Sequence, residues 1–429
     1  VAKSLAIAVS RELRVGMVGM GMIFDETYRP FFERVATQPL YGPEFGVCSA
    51  PLNAVATRTG QRAAAYRAKA PKDLQGFQNF FGVDAVEQLI DSPVDVVCIA
   101  TPDDRHFAAA KLAINAGKHV LIEKPSVLRL RELDELDAMA QEHGVLAKVV
   151  YHKLLDPDHK KLRTFVADGV LQHVNNGYCS LLEPKSIAGS QFAEWIVGRN
   201  PGTYVAVHYI KLIDFTFGLK LKRVTCTGQR GIVGPADGPT WDSTQLRLIY
   251  AHNDGREAAF DIHTSWVTPD NFPGYVEQEV QFRFDNGVWN GHSRKRGVEC
   301  TIEGATPYKI KNTINNHYNA SVLEPWGERS QRGYGIEVIE RFMREAAAVE
   351  FGGPLEERSI RLAAARELAY NDLAADRQVV AAVEAMEIIL ARHAAGIPEC
   401  VVEVNAPAGG LVLKVPGESR DEVLYAPAV

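Results

Sequence analysis

Between residues 13 and 150, short apolar runs alternate with helical segments, and this alternation constrains the fold more than any other feature of the chain. Such an order builds parallel βαβ units, because a crossover helix must return the chain before each new strand can pair. The runs at 13–18, 94–100, 119–122 and 145–151 read as strands. The second of these, VDVVCIA, is almost wholly apolar, as befits a strand buried on both faces of a parallel sheet. Helices are expected over 23–36, 105–116 and 128–143, the last two closed by Gly117 and Gly144.

Past Tyr151 the texture changes. Segments 158–168 and 204–217 are helical in pattern, and 177–182 is extended. Six β-rich runs follow at hairpin spacing, at 223–229, 244–250, 258–264, 276–284, 287–292 and 298–302, with Asp285-Asn286-Gly287 as a tight-turn signal. They predict a largely antiparallel sheet, which can leave one face for a second subunit, as a homodimer or homotetramer. An Ala-rich helix over 374–395 and a tail with two short β-like runs complete the chain. At 429 residues the chain exceeds one ordinary core. The expected class is α/β, with a first domain over 1–150 and an α+β domain over 151–429, whose helix at 374–395 is available to pack back on the first.

Composition narrows the function classes. Apolar residues at 46% and charged residues at 23% describe a globular chain, and a net charge of −6 argues against a nucleic-acid partner. The six cysteines lack CxxC or Cys/His metal spacing, so reduced thiols, no metal and a cytoplasmic setting are expected. Residues 1–10 do not read as a secretory signal, and no apolar run approaches the ~20 residues of a membrane span. A soluble protein without a membrane partner is expected.

Gly19-Met20-Gly21 closes the first strand, with Met22 and Ile23 opening a helix. That is where a dinucleotide-binding turn belongs: glycines admit the pyrophosphate and the helix N-terminus meets its charge. The third glycine of the fingerprint is replaced by Phe24, and tight turns also use glycine for purely steric reasons. The position after the first strand favours a Rossmann domain. For the second strand, 44–49 and 53–57 compete; the latter is preferred because it runs into Gly60 and a helix over 61–69, which makes 38–52 a loop insertion. Its end carries Thr57-Arg58-Thr59 and no acid for a ribose. Arg58 suits a 2′-phosphate, so NADP is favoured over NAD, the alternative being a solvated arginine.

Two further stretches are Ala100-Thr101-Pro102 with His106, continuing into the run AGKHVLIEKP at 116–125, and Leu154-Leu155-Asp156-Pro157 with Ala167-Asp168-Gly169. With the glycine turn, these resemble the Gfo/Idh/MocA family of sugar and polyol oxidoreductases over roughly the first half of the chain. The resemblance implies that Thr101, Pro102, His106, Glu123 and Lys124 border the cofactor. It also implies a cis peptide before Pro125 and places Lys124 at the reacting oxygen of the substrate, where an ammonium stabilises an alkoxide. The plain alternative is an exposed turn lysine.

The family's catalytic histidine matches His208, but its aspartate four residues earlier is Tyr204, and another three residues later is Lys211. On a helix, positions 204, 208 and 211 share a face. His208, with an ordinary pKa of ~6.5, is the expected acid/base, and Tyr204 its hydrogen-bonding or proton-relay partner. Packed aromatic side chains are the bland alternative. Lys211 either meets an anionic group on the substrate or pairs with Asp214. Arg199, Lys185, His263 and Trp266 are further candidates that the sequence does not place.

The expected function is hydride transfer between NAD(P) and a secondary alcohol or ketone of a sugar, polyol or related cyclic substrate. A glycoside-cleaving or epimerising enzyme with tightly held NAD is one alternative. A cofactor-binding regulator without turnover is another, and the missing aspartate keeps it open.

Overall fold

The computed structural model describes residues 11–188, 196–270, 276–292, 315–368, 370–397, 399–405 and 410–427. The expected strand at 298–302 lies outside the described residues. The chain divides into two compact units. One comprises Val1–Val127, Glu132–His152 and Tyr318–Ala375; the other comprises Leu128–Arg131, Lys153–His317 and Asp376–Val429.

The first unit is built on six parallel strands: β1 (Val15–Val18), β2 (Leu52–Thr57), β3 (Gln78–Phe81), β4 (Val96–Ile99), β5 (His119–Ile122) and β6 (Ala147–Val149). Their order in the sheet is β3-β2-β1-β4-β5-β6. This is the Rossmann order, in which the chain runs outward in both directions from β1 and leaves a crevice beyond the carboxyl ends of β1 and β4. Every residue of β1, β4 and β5 is buried, which is why these strands read as continuous apolar runs.

The second strand is the preferred one of the two registers, pairing Gly16 with Ala54 and Val18 with Ala56. The competing run, Gly46–Ser49, joins Arg11–Glu12 and Leu40–Gly42 in a separate three-stranded sheet. The segment expected as a loop insertion therefore has strands of its own. Phe45 is buried there against Gly42, where any side chain would collide with its ring.

Residues 318–375 return to this first unit, whereas the sequence suggested one uninterrupted second domain over 151–429. The helix Tyr334–Phe351 supplies a fully buried stripe that includes Ile336, Ile339, Phe342, Met343 and Ala346. Charge completes the attachment. Lys148 on β6 is 0% exposed; its Nζ lies 2.7 Å from Glu345 Oε2 and donates to the Ala365 carbonyl at 2.8 Å. Arg341 holds the other oxygen of Glu345 at 2.7 Å. Beside them the Val149 amide donates to the Asn371 carbonyl, and the Asn371 side chain donates to the Val149 carbonyl. The outer edge of β6 is thus covered rather than left as an open template.

The second unit carries a nine-stranded sheet. Its strands are β7 (Val174–Pro184), β8 (Lys220–Gln229), β9 (Ser243–Ala251), β10 (Glu257–Thr268), β11 (Glu277–Phe284), β12 (Gly287–His292), β13 (Val401–Asn405), β14 (Gly410–Lys414) and β15 (Glu422–Tyr425). The order is β12-β11-β7-β10-β9-β8-β13-β14-β15, antiparallel except where β7 pairs with β10. On β10, Phe260, Ile262, Thr264 and Trp266 are buried, while Asp261, His263 and Ser265 on the other face are half-exposed. The helix expected at 374–395 is Arg377–Ala394, and it packs on β8 and on the helix Val207–Phe217 of this same unit. Its buried stripe, including Val379, Val383, Met386 and Leu390, is used there. The motif Asp156-Pro157 is a helix cap: Asp156 Oδ1 accepts from the Asp158 amide at 3.0 Å, with Pro157 in the first turn of the helix Pro157–Ala167. Among the described residues, no helix is long and apolar enough to cross a membrane.

Candidate functional site

At the carboxyl end of β1 the Gly19 backbone is left-handed, with φ +94°, and its Cα faces β4. A Cβ there would collide with the Ala100 carbonyl oxygen and stand 2.8 Å from its carbon. Only glycine fits. A Cβ on Gly21, by contrast, would meet nothing within 4 Å. The first glycine is required by the protein itself, and the second keeps open the space into which a pyrophosphate fits. The helix begins at Met22 and Ile23 and widens into a π turn over Phe24–Tyr28, where the Thr27 hydroxyl donates to the Ile23 carbonyl. Phe24 is 1% exposed and stands edge-on to Tyr66 with ring centroids 5.3 Å apart. An aromatic contact therefore occupies the place of the third glycine.

Thr101 follows β4 beside this turn, and its hydroxyl oxygen is buried with no hydrogen-bond partner among the described residues. Leaving a buried hydroxyl without a partner is costly, so this one suits a ligand group at the crevice. Pro102 leads into the turn Asp103–Arg105 and then the helix His106–Asn115. The His106 ring lies between two carbonyls, with Nδ1 2.8 Å from Pro125 O and Nε2 2.9 Å from Thr101 O. Burial keeps its pKa below the ordinary value. Both ring nitrogens face backbone oxygens; the neutral ring that burial favours carries one N–H and donates to one of them, so the imidazole packs between the Thr101 and Pro125 turns.

β5 delivers the Glu-Lys-Pro turn. Glu123 donates its amide to the Ile99 carbonyl, and the Lys124–Pro125 peptide is cis, as the resemblance implied. Lys124 is half-buried. Glu123 is buried and accepts the Tyr28 hydroxyl at 3.2 Å. Burial pushes its pKa up to about 7, against the lowering pull of the Lys124 charge and of the Tyr28 hydrogen bond.

At the end of β2 the Thr57 hydroxyl accepts the Gly60 amide at 3.0 Å, which shapes the turn into the helix Gln61–Lys69. Arg58 is exposed. A second guanidinium, unremarked in the sequence, lies close in the chain: Arg62 is 2.6 Å from Asp25 on the helix that follows the glycine turn. These features fit a dinucleotide. Gly19 and Gly21 admit the phosphates at the Met22-Ile23 helix start, Thr101 offers a hydroxyl, and Arg58 stands where the adenosine ribose would end.

The second unit holds the other expected residues. Tyr204 lies in a π turn, Gly202–Ala206, shaped by the Thr203 amide donating to Asn200 Oδ1 at 2.8 Å. Its ring is 6.3 Å from that of Trp266, whose indole donates to Glu183 at 2.9 Å. His208 opens the helix Val207–Phe217 and is 8% exposed. Of the unplaced candidates, Trp266 therefore joins Tyr204, and Glu183 comes with it; no motif marks that glutamate. His263 faces Tyr178 from the half-exposed side of the sheet, and Lys185 is exposed. Lys153, buried beneath Gln278 and over the Tyr209 ring at 5.4 Å, was likewise missed.

For Lys211 the structure supplies the ion pair that the sequence offered beside a substrate contact. It is 1% exposed, with Asp214 at 3.6 Å and Asp376 at 3.8 Å. Gln378 donates to Asp214 as well, at 2.6 Å. The ammonium thus lies within ion-pair distance of two carboxylates on its own unit.

The comparisons with known proteins agree with this geometry. Residues 13–151 match the family described as oxidoreductase family, NAD-binding Rossmann fold (Gfo/Idh/MocA). The likeness to this family therefore lies in the first unit's nucleotide-binding region. Among curated relatives, the oxidoreductase YdgJ of Escherichia coli is 40% identical over 84 residues, 20% of this chain and 24% of that protein. The scyllo-inositol 2-dehydrogenase (NADP(+)) IolW of Bacillus subtilis is 31% identical over 94 residues, 22% of this chain and 26% of that one. The matched segments thus span about a quarter of these relatives. Among solved structures, GenD2 from gentamicin A biosynthesis, in complex with NAD, aligns with TM-score 0.63 at 21% identity, covering 93% of this chain and 98% of that one. The scyllo-inositol dehydrogenase of Lactobacillus casei with NAD(H) and scyllo-inositol aligns with TM-score 0.60 at 15% identity, covering 92% and 99%. At these identities the structures establish the fold shared along the chain.

The Lys211 assignment is testable. Lys211→Ala leaves two buried carboxylates without their cation, a loss of about 3–5 kcal/mol. Urea unfolding should show that loss while dinucleotide affinity stays at the wild-type value. Wild-type stability in this variant contradicts the ion-pair role.

Proposed function

We propose that this protein is an NAD(P)-dependent oxidoreductase that interconverts a secondary alcohol and a ketone on a sugar, polyol or related cyclic substrate. The observation that carries the reading is the crevice in the first unit, where the open Gly21 turn, the Thr101 hydroxyl and the Glu-Lys-Pro turn stand at neighbouring strand ends. Inositol and sugar-nucleotide dehydrogenases among the relatives support the substrate class.

The bound nicotinamide would supply the hydride chemistry. The chain's own residues do the rest. Lys124, as a cation, stabilises negative charge on the reacting oxygen as the carbon is oxidised. His208 is assigned the hydroxyl proton, because an imidazole exchanges protons efficiently near neutral pH. Tyr204 takes the place of the family's aspartate as its hydrogen-bonding or relay partner. A phenol carries no charge at neutral pH, so position 204 does not supply the negative charge that an aspartate there would.

We assign the cofactor as NADP. No carboxylate ends β2, and the exposed Arg58 guanidinium suits a 2′-phosphate, whereas an acid would repel one. The printed name of IolW carries NADP(+), while GenD2 was crystallised with NAD, so the preference rests on Arg58.

Two measurements follow. Lys124→Ala should lower kcat by about 10²–10³-fold, the scale of losing one charge-stabilising donor, with dinucleotide affinity nearly intact. Near-normal turnover in that variant removes Lys124 from the chemistry. Calorimetric titration should show NADP binding more tightly than NAD, with Arg58→Ala narrowing the gap. NAD binding tenfold more tightly than NADP, about 1.4 kcal/mol, refutes the preference.

A further inference from the structure

The helix that follows the glycine turn carries a proline where its backbone changes register. Over Phe24–Tyr28 it is a π turn, with the Arg29 amide donating to the Phe24 carbonyl, and over Arg29–Thr37 it is an ordinary α-helix. Pro30 sits at this junction and has no N–H. It lies five residues past Asp25 and four past Glu26, so it is the π-type partner of one carbonyl and the α-type partner of the other, and it can serve neither. Side chains stand in. Arg29 Nη2 donates to the Asp25 carbonyl at 3.0 Å, and Asn319 Nδ2 donates to the Glu26 carbonyl. The first donor is a neighbour on the same helix. The second comes from 293 residues away, on the segment that returns to the first unit.

The surroundings hold Asn319 in place. It precedes a two-stranded hairpin, Ala320–Leu323 with Arg329–Arg332, after which the chain turns at Gly333, φ +131°, into the helix Tyr334–Phe351. The Tyr318 carbonyl accepts the Gly335 amide at 2.9 Å, and a Cβ on Gly335 would stand 2.8 Å from the Tyr318 ring and 3.0 Å from the Thr27 methyl. Glycine at 335 thus lets the returning segment lie directly on the π turn. On the other flank Arg62 meets the Asp25 carboxylate at 2.6 Å. The π turn is also continuous with the glycine turn before it: the Phe24 amide donates to the Gly21 carbonyl at 3.2 Å, and the Thr27 hydroxyl to the Ile23 carbonyl at 2.9 Å.

We propose that Asn319 is a positioning residue of the dinucleotide site: by donating to the Glu26 carbonyl, its amide keeps the proline-interrupted helix in the register that presents the Met22-Ile23 helix start to the pyrophosphate. The N–H groups of a helix start bind an anion as a set, so their common direction matters. A helix in which proline removes a rung has more than one register open to it. Molecules in another register do not bind the ligand, and the apparent affinity falls with the fraction that is competent. The returning segment thereby contributes to cofactor binding without touching the cofactor.

The inference rests on the dinucleotide reading of the glycine turn, and the test separates the two. NADP and NAD are titrated calorimetrically into the full chain as wild type, Asn319→Ala, Asn319→Asp and Asn371→Ala, and amide hydrogen exchange over residues 22–31 is followed in each without ligand. Asn319→Ala should bind dinucleotide about tenfold more weakly, the scale of one net hydrogen bond. Asn319→Asp keeps the shape of the side chain but turns a carboxylate oxygen toward the Glu26 carbonyl, so it should bind at least as weakly. Exchange over 22–31 should be faster in both. Asn371→Ala removes a hydrogen bond from the same returning segment to Val149 on β6. It should lose stability and keep wild-type affinity and wild-type exchange over 22–31. With a substrate that turns over, the Asn319 variants should raise the dinucleotide KM and leave kcat near the wild-type value. Wild-type affinity in Asn319→Asp overturns the proposal. So does an equal loss of affinity in Asn371→Ala, which would make attachment of the segment the cause and not the Asn319 donor. If Asn319→Asp does not fold, Asn319→Ala against Asn371→Ala decides the matter. Failure of the dinucleotide reading looks different: wild type binds neither nucleotide. Exchange over 22–31 then judges the hold of Asn319 on the turn, faster exchange in Asn319→Ala upholding it and unchanged exchange overturning it.

Discussion

The contact between Gly19 and the Ala100 carbonyl is the constraint on which the candidate site depends. Strands β1 and β4 run side by side and buried, and at their carboxyl ends one chain must turn away within atomic contact of the other. A side chain at Gly19 would force those ends apart, and the crevice beyond them would lose its floor. The same closeness sets Thr101 beside the glycine turn. The His106 ring then lies between the Thr101 and Pro125 carbonyls and donates to one of them, filling the space between the turn after β4 and the one after β5. Three consecutive strand ends are thus fixed by one backbone approach and one imidazole.

The buried ionisable groups divide by the company they keep. Lys148 and Lys211 are each met by carboxylates, and a buried ion is tolerable when its partners are in place. These lysines hold elements together. Glu123 instead accepts the Tyr28 hydroxyl and the Lys124 backbone amide, and burial lifts its pKa to about 7. The distinction is one of partners and not of burial, since all three side chains are almost wholly enclosed.

Much of the first unit was legible because its signals are local. The apolar runs of β1, β4 and β5, and the glycines after the helices, depend on residues adjacent in sequence. The second-strand register was decided by Gly60 and the helix behind it. What the sequence concealed is long-range. The return of 318–375 to the first unit depends on Lys148, Glu345 and Asn371, polar residues whose meaning appears only when β6 needs an edge partner. Lys211 replaces a family aspartate at helical spacing, and its second ion-pair partner, Asp376, is remote in sequence. Glu183 and Lys153 belong to no motif and became visible only through Trp266 and Tyr209. The loss of the third fingerprint glycine was plain in the sequence, but the Tyr66 ring against which Phe24 packs was not.

The central claim is that the crevice at Gly19–Gly21 holds a dinucleotide, and Gly21 gives the most direct access to it. A Cβ at that position meets nothing within 4 Å beyond its chain neighbours, so Gly21→Val puts its bulk into the space above the turn. The measurement is calorimetric titration of NADP and NAD into wild type and Gly21→Val, with thermal unfolding of both proteins in parallel. The account predicts saturable binding by wild type, its loss in the variant, and an unchanged Tm without ligand. A variant that binds dinucleotide as tightly as wild type contradicts it.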